Sequence, residues 1–167
     1  MAMAKRAAQP RLFTAAEEPA QDADFGVRFG LLARQKISVM MQRGMIQATR
    51  HIDPPQLQPA SLDLRLGPKA YRVRASFLPG EGRTVMERIE ALKSEEISLE
   101  NGAVLERGCV YVVPLLEHLD LPNSISAVAN PKSSTGRLDI FTRLITDRSE
   151  IFDHVASGYR GPLYAEV

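Results

Sequence analysis

Between two apolar stretches the chain reads "NPKSSTGRL", with Lys132, Ser133, Ser134, Thr135, Gly136 and Arg137 in succession. Two cations bracket a run of hydroxyls. A lysine supplies a point charge and an arginine a planar fork suited to phosphate oxygens. The hydroxyls add donors, and Gly136 lets the backbone come close to a ligand. A short helical turn over 133–138 would turn free N–H groups toward an anion. No Walker pattern is present in the sequence, so a grip on a nucleotide phosphate would have to be of this other kind. The same residues also suit a solvated polar loop, and the spacing alone leaves both readings open.

The segments around this stretch must position it. "SISAVAN" before it and "FTRLITD" after it read as short strands, since apolar and polar residues alternate along them. Further upstream, "CVYVVPLLE" is a β-branched and aromatic run, "YRVRASF" alternates, and "EISLENG" closes on a turn signal. Downstream, "GPLYAEV" reads as another strand. In "HIDPPQLQPASLDLRLG" the prolines forbid a helix. Leu62, Leu64 and Leu66 then alternate with Asp63 and Arg65, which predicts a half-buried strand.

Two helices are expected, near residues 31–43 and 84–93. In the first, Leu32, Ile37, Met40 and Met41 make one apolar face and Gly44 ends it; the methionines there serve as core packing. In the second, Thr84 with Glu87 three residues on makes a capping box. Short strands separated by Gly, Pro and Asn predict a mainly β sandwich or barrel rather than alternating β and α units.

The whole chain bounds the function. Its 167 residues suit one domain, and 44% hydrophobic against 25% charged residues allows a packed core. Lys and Arg number 21 against 20 acidic residues. That balance argues against a nucleic-acid polymer as main partner, yet leaves room for a small phosphorylated ligand held by a few local cations. Cys109 is the single cysteine, so no internal disulfide forms, which fits a reducing compartment. With no apolar run long enough for a bilayer and no secretory signal in "MAMAKRAAQPRLF", the expectation is a cytoplasmic protein without a membrane partner. Residues 1–25 read as a poorly ordered tail and 26–167 as the folded domain. The chain stops at Val167 within a strand. This predicts an uncovered strand edge and a piece of a longer protein truncated at its C-terminus.

Three ordered motifs carry a resemblance. "PKSSTGR" between two β segments resembles the phosphate-binding motif of the dUTPase and dCTP deaminase superfamily. "QKISVMMQRGMI", a proline-broken loop and "ASLDLRLG" are similar to the opening of dCTP deaminases, and "GYRGPLYAEV" resembles the hairpin and strand that hold the nucleoside. The match runs from about residue 31 to the end and looks like the N-terminal half of the long, two-half form. The resemblance implies a dUTPase-like distorted jelly roll, or β-clip, with short helices. It also implies hydrolytic deamination of dCTP to dUTP and ammonia, within dUTP and dTTP biosynthesis. A homotrimer with sites between subunits is part of the same expectation.

The resemblance also assigns roles. In dUTPases a water-activating Asp lies three residues before the aromatic of the Tyr-Arg-Gly motif; before Tyr159 that place holds Ala156. Alanine cannot take a proton, so pyrophosphatase chemistry is disfavoured, although dedicated deaminases usually carry an acid there too. In deaminases the acid–base group is a Glu five residues beyond the glycine of the motif, which here is Glu166. It lies in an otherwise apolar strand end, where partial desolvation suits an acid–base group. As an ordinary residue it would be salt-bridged or solvent-facing. Glu166, Ser133 and Arg137 are then the catalytic set: Glu166 moves protons, while Ser133 and Arg137 orient water and meet developing charge. Lys132, Ser133, Ser134, Arg137 and Tyr159 bind the nucleotide and its phosphates. Lys132 replaces the arginine usual in shorter deaminases, so a point charge stands where a fork would be. Asp63 orders the early strand and loop.

Zinc deaminases need His-x-Glu and Pro-Cys-x-x-Cys ligands. With one cysteine and with His51, His118 and His154 outside that pattern, the expectation is no zinc. Mg²⁺ would arrive with the triphosphate, held mainly by phosphate oxygens and water. The alternatives are a non-catalytic nucleotide-binding or structural half of a tandem protein, then a bifunctional dCTP deaminase and dUTP pyrophosphatase, then a jelly-roll module without a nucleotide.

Overall fold

The computed structural model describes residues 30–167; the tail expected over 1–25 lies outside them. The first apolar face forms helix α1 (Arg34–Gln42), which buries Ile37 and Met40. Gly44 follows at a φ of 72°, a left-handed conformation that glycine adopts without a side-chain penalty. The chain turns there into β1 (Ile46–Ala48). The prolines then make one 3₁₀ turn, Pro54–Gln56. Helix α2 (Val85–Leu92) starts on the expected capping box: Glu87 N–H donates to Thr84 Oγ1 at 3.2 Å and Thr84 N–H to Glu87 Oε2 at 2.7 Å.

The main sheet is antiparallel and has six strands. β2 (Lys69–Val73), β3 (Lys93–Ser98) and β4 (Val110–Asp120) form one side of it. β5 (Ala127–Val128) and β7 (His154–Val155) pair as a separate ribbon. Helix α3 is a single turn, Ser133–Gly136, and is followed by β6 (Arg143–Thr146) and β8 (Arg160–Glu166). The order across the sheet is β3-β2-β4-β8-β6. β4 is long enough to pair with β2 through Val110–Val112 and with β1 through Glu117–Leu119, while β8 runs along its other edge. Pro114 cannot donate to a ladder, and the β4–β8 register shifts between Pro114 and His118.

The final strand is therefore interior. β8 is paired with β4 on one side and β6 on the other, so the edge expected at the chain end is covered. The end strands of the sheet are β3 and β6. β3 reads "KSEEIS" and is mostly exposed, and charged residues of this kind discourage pairing with another chain.

The sheet buries both faces, and the period of two sorts its strands. Leu144, Leu163 and Leu119 join α1 residues in one core, while Ile145, Tyr164, Val112, Tyr71 and Val73 join Val85 and Ile89 of α2 in the other. Glu166 lies two residues beyond Tyr164 and so shares the α2 face.

The alternating "SLDLRLG" forms no strand. It makes only isolated bridges, Leu57 with Leu62 and Leu66 with Leu115, and Leu64 and Leu66 are exposed. Its backbone is instead tied down by side chains. Glu117, fully buried on β4, accepts from Arg65 N–H, Arg65 Nε and Gln56 Nε2 at 2.9, 2.9 and 3.2 Å. Arg65 also donates to the carbonyls of His51 and Arg50. Where the loop meets β4, a Cβ on Gly67 would sit 2.6 Å from the Pro114 carbonyl oxygen, so only glycine fits.

Candidate functional site

The hydroxyl-rich run does form a turn. α3 begins after Lys132, whose carbonyl accepts the N–H groups of Thr135 and Gly136 at 3.0 and 3.2 Å. Thr135 spends its own hydroxyl on the same carbonyl at 2.6 Å, which locks the turn and removes Thr135 from the set of ligand donors. Ser133, Ser134 and Arg137 are exposed. Beyond Gly136 no neighbour comes within 4 Å of where a Cβ would stand, so the approach to the turn is open. The chain leaves through Asp139 in a left-handed conformation, φ 55°. Asp tolerates that region better than most residues.

Lys132 reaches across to the loop after the 3₁₀ turn and donates to Asp63 Oδ2 at 2.6 Å. The backbone around Asp63 is in turn held, its N–H by the Gln56 carbonyl and its carbonyl by Gln56 Nε2. The expectation for Asp63 is to order the early strand and loop; in the structure its carboxylate instead meets the cation of the turn.

Glu166 is only 5% exposed. Arg143, its direct cross-strand partner on β6, directs both Nε and Nη2 at Glu166 Oε1, with Nε at 3.1 Å. Oε2 is buried and has no hydrogen-bond partner. Arg143 itself is clamped, its guanidinium lying 3.8 Å from the centroid of the Phe152 ring and its Nη2 donating to Ser76 Oγ at 2.9 Å. Among the described residues no hydrogen bond or ion pair joins the turn to Glu166. The two halves of the expected catalytic set lie on separate elements, the turn on α3 and Glu166 at the end of β8, and residues 137–142 lead from the turn to β6, which carries the Glu166 partner Arg143.

Tyr159 is held inward. Its hydroxyl donates to the Pro162 carbonyl at 2.6 Å and accepts the Asp147 N–H at 3.2 Å. Burial pushes its pKa up to about 12. The ring folds back over Gly161, where a Cβ would meet the Tyr159 hydroxyl at 2.9 Å and φ is 154°. Tyr159 therefore braces the hairpin that launches β8 and leaves its ring, not its hydroxyl, for any ligand. Ala156 is exposed in the same hairpin. Of the histidines, His51 and His154 are exposed and His118 contacts Gln47.

Sequence reasoning missed Arg143, Ser76 and Phe152 as the surroundings of Glu166. Arg143 is visible in "FTRLITD", but its register against β8 is set only after the β7 ribbon has been looped out between them.

An antiparallel sheet with few short helices, whose interior last strand ends in a buried glutamate and which carries a cation-flanked hydroxyl turn on a separate element, fits the dUTPase-like class that the sequence resembles. Within that class the assignment narrows. Residues 28–167 match the 2'-deoxycytidine 5'-triphosphate deaminase (DCD) N-terminal domain, and the chain belongs to this family. Among solved structures it is similar to the 2'-deoxycytidine 5'-triphosphate deaminase from Agrobacterium tumefaciens, at 55% identity and a TM-score of 0.79. That likeness covers 82% of this chain and 41% of the other, so the chain spans less than half the length of that relative. The search of curated proteins gave no match.

Proposed function

We propose that the protein carrying this chain hydrolyses dCTP to dUTP and ammonia, with Glu166 as the proton-transfer group. The observation that supports this best is the Glu166 carboxylate, with one oxygen held by Arg143 and the other buried and unpartnered. An unmet buried carboxylate oxygen is costly, and a water poised for attack on C4 of the pyrimidine would meet it. Glu166 would take the proton of that water and pass it on as ammonia leaves. Ser133 and Arg137, exposed on the turn, would orient the water and meet charge at the exocyclic group. Lys132 and Ser134 would hold phosphates, Tyr159 would wall the nucleoside, and Asp63 would keep Lys132 in place.

Mg²⁺ would enter with the triphosphate, held mainly by phosphate oxygens and water. A cytoplasmic homotrimer completes the reading. No helix among the described residues is long and apolar enough to cross a membrane. Ala156, which lacks the carboxylate a pyrophosphatase needs, disfavours dUTP hydrolysis. The ion pair of Glu166 favours one competing reading, a nucleotide-binding half without chemistry, because a paired carboxylate also suits a structural role.

The test is to incubate the full-length protein and its Glu166→Gln variant with dCTP and with dUTP, measuring ammonia and pyrophosphate separately. Glutamine keeps the shape but cannot take a proton. Ammonia release from dCTP should fall on the order of a hundredfold to ten-thousandfold, with nucleotide binding nearly intact. Release at the wild-type rate would leave the binding-half reading in its place.

A further inference from the structure

Arg143 and Glu166 are register partners across β6 and β8, so their side chains rise from the same face of the sheet. The contact is lopsided. An arginine fork commonly meets a carboxylate with one donor on each oxygen, yet here both donors go to Oε1 and Oε2 receives none. Arg143 has little freedom to shift toward Oε2. Phe152 lies beneath its guanidinium, Phe141 stands 5.5 Å from it, and Ser76 takes its Nη2. Phe152 is packed against the core on the α2 face, so the stack is anchored.

We propose that Arg143 is the positioning residue for Glu166: it immobilises Oε1 so that Oε2 alone is presented as the proton acceptor. This rests on the deaminase reading of Glu166. A residue of this kind changes the rate of the chemical step and leaves substrate binding alone, because it touches the base and not the nucleotide. Arginine suits the task where lysine would not. Its planar fork fixes the rotation of the carboxylate as well as its position, and its face stacks on an aromatic ring.

The experiment is a double-mutant cycle in the full-length protein, with ammonia release from dCTP as readout. Arg143→Ala should lower kcat about a hundredfold, the scale of a misplacement of roughly 1 Å, with KM within about threefold. Arg143→Lys, which keeps the charge but loses the fork, should fall between, about tenfold down. In a Glu166→Gln background Arg143→Ala should change the residual rate less than about twofold, because residues acting as a unit are not additive. A full further loss in that background overturns the proposal, as does a raised KM with kcat unchanged. Where the alanine variant does not fold, Arg143→Lys and its double variant make the same comparison. If Glu166→Gln alone leaves ammonia release at the wild-type rate, the deaminase reading falls and this proposal with it. If only Arg143 proves silent, the proposal falls alone.

Discussion

At the scale of single residues, side chains that look alike in the sequence divide into those spent on the fold and those left for a ligand. Thr135 and Tyr159 are spent; Ser133, Ser134 and Arg137 are exposed. Tyr159→Phe removes a hydroxyl that serves two backbone groups. It should cost about 1–2 kcal/mol and lower the melting midpoint by about 2–8 °C. The same tyrosine predicts an alkaline limit. Its proton is held more tightly in the folded state, near 12 against a usual 10.0. That contribution to stability is whole below pH 10 and is lost as pH rises through 12. Melting curves between pH 9 and 12 should show the loss, and Tyr159→Phe should blunt it. Lys132 is a point charge on an exposed turn, paired to Asp63. Lys132→Ala should raise the dCTP dissociation constant with little change in kcat. The difference from wild type should shrink as salt is added, because exposed charges are screened within about 10 Å at 0.1 M. Titration at two ionic strengths checks both points.

At the scale of elements, the loop from Arg50 to Gly67 is held by side chains more than by ladder hydrogen bonds. It delivers Asp63 to Lys132, and its geometry depends on Glu117 in the middle of β4. The ion pair is asymmetric, since Glu117 is fully buried while the Arg65 side chain is 24% exposed. Arg65→Ala would strand a carboxylate inside the protein, for which about 3–5 kcal/mol is expected. Glu117→Gln keeps an acceptor and should cost clearly less. Urea unfolding of the two variants decides, and equal costs would contradict the asymmetry. The alternation of Leu62, Leu64 and Leu66 pointed to a strand because period two is the usual mark of one. Here a buried charge, which no local pattern reveals, competes for the same backbone groups and wins.

At the scale of the whole molecule, the chain shares its fold with less than half the length of a related deaminase, and next to the turn Leu138 and Phe141 are 72% and 70% exposed. Apolar side chains of this size grouped beside the hydroxyl turn suit cover by further protein. On the proposed deaminase reading, these 167 residues alone should release ammonia from dCTP at least about tenfold more slowly than a protein extended to the length of that relative, since loss of positioning around the substrate is costly. Parallel assays of the two, matched for protein concentration, test this. A turnover within about tenfold would show that this domain positions the substrate unaided.

The sequence by itself determined the mainly β class, both helices with the capping box at Thr84, and the turn at Ser133. Each is a local matter of periodicity, capping and close spacing, which neighbouring residues settle among themselves. Resemblance singled out Glu166, whose burial at the end of β8 the structure shows and whose role is proposed. Only the tertiary structure decided that β8 lies inside the sheet, that Arg143 meets Glu166 on one oxygen, and that Glu117 governs the loop bearing Asp63. Those contacts join residues 23 and 52 positions apart in the chain. They depend on strand order and register, which arise when two buried faces must be filled at once and are written in no single segment.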